Sequence, residues 1–514
     1  MVCCDRRIMI ATLAIGITSL LLVDQIKTAS KVTILSNLLE SIDAPFMTRE
    51  SLAQNYLSGA RARGDENATT TVHNKPLNIL ILYPDDWRHD SLGSADPNKI
   101  VQTPFLDRMA QMGIRFSQNC VTTSICWISR ATLVTGQYAS RHHSIRLADP
   151  PFYNNFSNSF PALLREVGGY YTGHIGKWQF HDSFFVQRQY NYTHLFEGSH
   201  WMGGKHTTII TENSTVAFLR NRPKDVPFFL TAAFYAPKAV GDKEQFFPMN
   251  DTIYGLFQNT TIPTPLDSVT SDKAWERLPK FFTEKNEGRK RYHHRWDTPE
   301  KYQRLLKNYF RLIYEVDRSC ERIWEELENQ GILNDTMVIF TTDNGFFHGE
   351  HGLAGKWYPY QESIRVPLIV WDPRMPSYRK GTVDDSFTLN VDLATTVLGA
   401  AKIPPHPSMQ GRNIADLYLG RKGNSVNEKN ATHLWRTEFF YEHPRVSRPH
   451  NIPSSSALVR KDFKLVVWPQ WDTEQLFDLR HDPLEQIDII ADPKYADLVV
   501  EMRKRHNELL EGVK

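Results

Sequence analysis

The chain has 514 residues, with 60 Lys and Arg against 58 Asp and Glu, a net charge of +2, and 41% hydrophobic and 12% aromatic residues. That length allows one large domain plus a smaller one around a sizeable core. The near-neutral balance carries no basic footprint, so nucleic acid is excluded as an expected partner.

The first 30 residues stand apart. Arg6 and Arg7 precede the apolar run "IMIATLAIGITSLLLV" at 8–23. This reads as a signal peptide or a signal anchor; it is shorter than the roughly 20 residues that a membrane span needs. Eight N-x-[ST] sequons, at Asn67, Asn155, Asn191, Asn213, Asn250, Asn259, Asn334 and Asn430, support entry into the secretory pathway. Golgi or ER membrane, lysosome and secretion all remain open as destinations. Beyond Cys3 and Cys4 only Cys120, Cys126 and Cys320 remain, which allows at most one internal disulfide, Cys120–Cys320 among the options. Residues 31–75 are polar and read as a stem or linker.

From residue 76 the pattern changes. "LNILILY" (77–83) is an apolar run without helical period, the signature of a strand buried on both faces. "TPFLDRMAQMG" (103–113) opens on Thr and Pro and closes on Gly, which predicts a helix. "FPALLREVGG" then "YYTGHIG" reads as helix then strand, "PFFLTAAF" (227–234) as a buried strand, and 241–300 as long irregular loops. Residues 298–329 carry a long helical pattern, followed by strands in "TMVIFTTDNG" (336–345) and "VPLIVW" (366–371). Alternating helices and apolar strands predict an α/β sandwich around a mostly parallel sheet over 76–403. The tail, 404–514, reads as an α+β subdomain, with antiparallel strands in "SALVRKDFKLVVW" and "EQLFDL" before the helix "YADLVVEMRKRHNELL".

The chemistry concentrates at strand ends. Asp85 and Asp86 follow the first buried strand, and Asp343 and Asn344 follow a later one. Ligands of open α/β sheets bind beyond the carboxyl ends of strands. Neighbouring anions there repel unless a cation lies between them, and an all-oxygen set suits Ca²⁺ or Mg²⁺ rather than zinc. Cys126 precedes "SRATLVTG", which places it at a helix start where the helix dipole favours negative charge, with Arg130 one turn on.

In order, Asp85–Asp86, C-x-x-S-R with Thr135–Gly136, "GKW" at 176–178, "DNG" at 343–345 and "GEHGLAGKW" at 349–357 form a set that resembles the type I sulfatase family. "GRNIADLYLG" and "LFDLRHDPLEQ" resemble its C-terminal region, so the similarity spans roughly 76–510. The resemblance implies an alkaline-phosphatase-like α/β/α sandwich with a large, mostly parallel mixed sheet, and a smaller C-terminal subdomain with an antiparallel sheet. It implies hydrolysis of sulfate esters, and the motifs look closest to members that act on sulfated carbohydrates. It also implies that a formylglycine-generating enzyme converts Cys126 to formylglycine during maturation. One hydroxyl of the hydrated aldehyde would attack sulfur. Asp85, Asp86, Cys126, Asp343 and Asn344 would hold one Ca²⁺. Arg130 would brace the nucleophile, and Lys177, Lys238 and Lys356 would bind sulfate.

Three positions depart from the family pattern. Ile128 stands where Pro or Ala is usual, Gln179 where "GKWH" carries His, and Lys238 where "APH" carries His. Lys238 then becomes the candidate proton donor, and His181, two residues after Gln179, a second catalytic candidate. His142 and His351 are candidates for substrate contacts, as are His143, His348 and His443 in neighbouring motifs. The run "GRKRYHHRWDTP" (288–299) is basic with interleaved aromatics; it suits either an anionic glycan or a charged surface loop. Two further readings compete: a catalytically impaired glycan-binding relative, and a metal-dependent phosphatase or phosphodiesterase of the same superfamily.

Overall fold

The computed structural model describes residues 75–145, 158–180, 186, 189–196, 198–241, 246–265, 272–420 and 435–514. The leader (1–30), nearly all of the stem (31–75), His181, and the sequons at Asn67, Asn155 and Asn430 lie outside the described residues.

Eight strands form the main sheet: β1 (Asn78–Leu82), β2 (Ile114–Cys120), β3 (Tyr171–Gly176), β4 (Tyr192–Leu195), β5 (Phe228–Ala233), β6 (Thr336–Thr341), β7 (Leu368–Trp371) and β8 (Thr382–Leu389). Their spatial order is β8-β2-β7-β6-β1-β5-β3-β4. Every pairing is parallel except the two made by β7, so the sheet is the mostly parallel, mixed one expected. Strands β1, β5 and β6 are apolar on both faces because helices cover both.

Alternation assigns the layers. Leu80 and Leu82 of β1, and Phe228 and Leu230 of β5, pack with helices α1 (Pro104–Met112), α4 (Thr207–Asn221) and α6 (Pro299–Asn329). Phe229 points the other way, its ring 5.1 Å from that of Phe160, the first residue of α3 (Phe160–Glu166), which packs beside α2 (Cys126–Thr135) and α7 (Asp392–Ala400). The long helix α6 buries Leu305, Tyr309, Leu312, Val316, Ile323 and Leu327 along one stripe. Burying each such side chain contributes about 1.5–3 kcal/mol.

Part of 241–300 departs from the irregular loop expected: α5 (Glu287–Arg295) forms there. Asn286 caps it by accepting from the Gly288 and Arg289 amides at 2.9 and 3.2 Å. Polar charge without apolar period hid this helix, and tertiary burial of Tyr292 and Arg289 supplies what periodicity did not.

The tail folds as β9 (Glu438–His443), β10 (Ser455–Arg460), β11 (Phe463–Trp468) and β12 (Thr473–Asp478), an antiparallel sheet in sequential order, followed by α8 (Ala496–Val513). One face, with Phe439, Tyr441, Val459 and Val466, packs on Val121, Ile125 and Ile128 at the start of α2. The opposite face meets Val499 and Met502 of α8. Cys120, Cys126 and Cys320 are all free thiols; Cys120 and Cys320 sit in different parts of the core. Among the described residues no helix is long and apolar enough to cross a membrane.

Candidate active site

Four neighbouring strands, β6-β1-β5-β3, end on the same edge. Parallel pairing continues past them: Tyr83 N donates to Ala232 O at 2.9 Å, Phe234 N to Tyr83 O at 3.1 Å, and Asp85 bridges to Pro237. That register sets Asp85 beside Lys238. Lys177 follows β3, its amide bonded to Ala233 O at 3.0 Å. Gly176, at φ 91°, is required here, because a Cβ would stand 1.9 Å from the Ala233 carbonyl oxygen. From β6, Thr342 Oγ1 donates to Pro84 O at 2.8 Å, and Asp343 Oδ1 accepts from the Asp86 amide at 3.2 Å.

Cys126 is the first residue of α2, which ends with Gly136 in the left-handed conformation at φ 63°. Its Sγ lies 3.4 Å from Asp85 Oδ1 and 4.0 Å from Asp86 Oδ1, with Lys238 Nζ at 3.3 Å and Lys356 Nζ also in contact. Lys177 pairs with Asp85, and Lys356 with Asp86. Lys238 stands 3.7 Å from both Asp85 and Asp86. Arg130 donates from Nε to Asp343 Oδ2 at 2.9 Å and from Nη1 to Lys177 O at 3.0 Å, and its Nη2 stands in ion-pair contact with Asp343 Oδ2 at 2.8 Å. Its guanidinium lies 4.9 Å over the Tyr83 ring.

Burial and the Asp343 charge work to raise Asp85, yet Lys177, Lys238 and Lys356 together hold its carboxyl below the usual range. Burial also opposes ionisation of Asp343, and Arg130, Lys177 and Lys356 overcome it. For Cys126, burial and then the Asp85 charge push the thiol up.

The site holds three carboxylates in one place. Ligand atoms of Asp85, Asp86, Cys126 and Asp343 all lie within 4.8 Å of one another. Asn344 donates its amide N–H to Asp86, while its Oδ1 is buried without a hydrogen-bond partner. An unpaired buried amide oxygen costs about 1–3 kcal/mol, and beside clustered carboxylates it is a ligand for a hard cation. These residues therefore fit a divalent metal.

The structure thus brings together Asp85, Asp86, Cys126, Arg130, Lys177, Lys238, Asp343, Asn344 and Lys356, nine residues drawn from six chain segments. It leaves two expected contacts elsewhere. His142 is fully buried, with Nε2 3.2 Å from Thr132 Oγ1 and Nδ1 accepting from the Ser144 amide at 3.0 Å, so neither nitrogen faces the cavity above Cys126. His351 stacks on Tyr360 at 4.4 Å, faces Glu362 at 3.7 Å, and lines a different cavity with Arg88 and Glu350. In each case burial by the local turn removes a ring that motif spacing alone made available. His348 and His443 are buried as well.

A cavity of about 260 Å³ opens above Cys126, lined by Asp86, Lys238 and Lys356 and, beyond them, Trp127, Gln179, Arg291, Arg295 and Trp357. Of the site lysines, Lys238 is the most open, its side chain 22% exposed. Trp127, Tyr83 and Tyr441 carried no signal in the sequence, because aromatics are read there as core; Trp357 was written only as the last letter of "GEHGLAGKW". Arg291 and Arg295 did carry one, their spacing of four within the basic run.

The sulfatase family model matches residues 77–403, most of the chain. The chain belongs to the sulfatase family. It is a sulfuric ester hydrolase with the family's fold, and a second model, N-sulphoglucosamine sulphohydrolase, C-terminal, matches residues 349–512 of this sulfatase. It is similar to an N-acetylglucosamine-6-O-sulfatase of Bacteroides thetaiotaomicron, 25% identical over 85% of this chain and 85% of the relative. It is also similar to human N-sulphoglucosamine sulphohydrolase, 29% identical over 71% of this chain and 68% of that one. A solved structure of a protein in complex with its substrate D-glucosamine-2-N,6-O-disulfate superposes with a TM-score of 0.71 at 24% identity, covering 85% of this sulfatase and 98% of that chain; at that identity it speaks for the fold.

Proposed function

We propose that this sulfatase removes sulfate from a glycosaminoglycan-like carbohydrate, with Cys126 converted to formylglycine and with Ca²⁺ held by Asp85, Asp86, Asp343, Asn344 and the side chain at 126. The observation that carries this reading is Cys126 itself: a lone side chain at a helix start, at the floor of a cavity, touching two carboxylates and two lysines. The sugar specificities in the names of the two relatives support the substrate class. Cys126 and Ile128 are buried in the folded chain, so conversion belongs to the extended chain before folding, in the secretory pathway. Asn191, Asn213, Asn250, Asn259 and Asn334, the described sequon asparagines, are all exposed and accessible to glycosylation there.

Residue roles follow from contacts. The cation, when bound, would increase the acidity of a hydroxyl at position 126 and neutralise sulfate oxygens. Lys356 and Lys238 reach the space above Cys126 and would hold the sulfate, stabilising charge that develops on its oxygens. Lys177 and Arg130 keep Asp85 and Asp343 oriented. As the sulfur–oxygen bond to the sugar breaks, Lys238, on the open side, would donate the proton that the leaving oxygen needs.

Mass spectrometry of the tryptic peptide 116–130, from protein made in its own secretory pathway, tests this. The expected result is an aldehyde at 126, glycan on the peptides bearing exposed sequons, and sulfate release from sulfated glucosamine that is abolished in Cys126→Ala. Unmodified Cys126 in active protein would refute the mechanism. Unmodified Cys126 with sugar binding and no turnover would make the chain a glycan-binding member of its family.

A further inference from the structure

The basic run is helical from Gly288 to Arg295, and its cations have separate tasks. Arg289 turns into the protein: it pairs with Glu284 and Asp272 at 3.0 and 2.7 Å, and its guanidinium lies 4.6 Å over the Trp275 ring. Arg291 and Arg295, one helical turn apart on a single face, line the cavity that has Cys126 at its floor. Arg291 lies 4.9 Å over the Trp357 ring and pairs at 2.9 Å with Glu287. Arg295 is 1% exposed and sits 5.7 Å over the Phe346 ring.

Among the described residues, the charges lining this cavity are one carboxylate, Asp86, and four cations, Lys238, Lys356, Arg291 and Arg295. Lys238 and Lys356 contact Cys126, where the reacting sulfate would sit. The two arginines lie on the α5 side and have no task in that chemistry. Guanidinium forks suit sulfate and carboxylate oxygens in a bidentate fashion, and in a half-closed cavity their attraction for an anion is stronger than in open water. Trp127, partly buried and also in the lining, carries an aromatic ring of the kind on which sugar rings stack, while the Trp357 ring is covered by Arg291. The cavity volume is near the lower end of ligand pockets, about 300 Å³, which suits one substituted sugar ring better than a long chain.

Resting on the sulfatase reading above, we propose that Arg291 and Arg295 form a second anion subsite, so that the preferred substrate bears another anionic group, sulfate or carboxylate, next to the sulfate that is removed. Specificity would then come from α5, while the strand-end residues perform the chemistry.

The test is equilibrium binding to the full chain carrying Cys126→Ala, in calcium buffer, so that no ligand is consumed. The probes are glucosamine 6-sulfate, glucosamine 2,6-disulfate, and 6-sulfated glucosamine linked to a uronic acid. The second anion is expected to tighten binding at least about tenfold, and the stronger of the two doubly charged probes identifies it as sulfate or carboxylate. Arg291→Gln and Arg295→Gln are expected to bring the ratio of doubly to singly charged affinity to near one, and Arg295→Lys to keep part of it. A merely structural role would shift all three probes together. The proposal is overturned if no probe binds, if the parent binds all three alike, or if the glutamine variants keep the ratio. Sulfate release by the Cys126-bearing enzyme is scored separately, so a chain that binds in this pattern and releases no sulfate would fail as a sulfatase and still possess the subsite.

Discussion

Lys238 stands where the motif resemblance leads to histidine, and its position is revealing. It is the least buried of the site lysines and touches Sγ of Cys126, Asp85 and Asp86 at once. If it supplies the leaving-group proton, its importance should scale with how much the leaving oxygen needs one. Lys238→Met is therefore expected to lower kcat on a sulfated sugar about 10²-fold or more, and to lower it far less on nitrophenyl sulfate, whose oxygen departs as a stable anion. Equal losses on both substrates would assign Lys238 to sulfate binding alone. At this scale the sequence was informative about identity: Asp85, Asp86, Cys126, Arg130, Lys177, Asp343, Asn344 and Lys356 were all marked by motif. It was uninformative about histidines, because His142 and His351 differ from usable side chains only in what their turns bury.

Among the elements, α6 shows how a helix can be legible in pattern and still hide its chemistry. Its apolar stripe predicted 298–329, and the helix spans Pro299–Asn329. Nothing in that stripe predicted Glu315, buried and accepting from the Met249 amide at 2.6 Å. Burial pushes the Glu315 carboxyl up to about 8. The folded chain then holds a proton that the unfolded chain releases above about 4.3, so stability falls as pH rises from there to about 8. Glu315→Gln, which resembles the protonated acid, should match the parent in stability near pH 4 and exceed it at pH 8.5 by up to about a few kcal/mol, read as a higher Tm. Parallel Tm curves across that range would show that the carboxyl titrates normally. By contrast α5 was read as loop, since its residues are mostly charged and its stability comes from the Asn286 cap and from Arg289 packed between rings.

Across the whole molecule, the C-terminal sheet is part of the site's support. Tyr441 Oη, on β9, donates to Trp357 O at 2.8 Å and accepts from the Ser124 amide at 3.4 Å. It thereby joins the segment that carries Lys356 to the segment that carries Cys126. Trp357 holds φ 87°, a conformation that costs a bulky residue about 1–3 kcal/mol and persists only when its surroundings enforce it. Tyr441→Phe removes one hydroxyl at a stability cost of about 0.5–1.5 kcal/mol. It should leave the circular dichroism spectrum unchanged and reduce kcat about tenfold as Lys356 loses its fixed position; kcat within twofold of the parent would free the tail sheet of any part in catalysis.

What the sequence determined by itself was the kind of residue available, the strands and helices with clear period, and the family, because motif order along the chain survives in one dimension. Only the tertiary structure decided that β6, β1, β5 and β3 are neighbours, and hence that Asp343, Asp85, Lys238 and Lys177 meet. Strands buried on both faces look alike in sequence whatever stands beside them, since their apolar runs record burial and not partners. The same holds for Arg291 and Arg295: their spacing was written in the chain, but the cavity they face exists only once α5 packs beside the segment that carries Lys356.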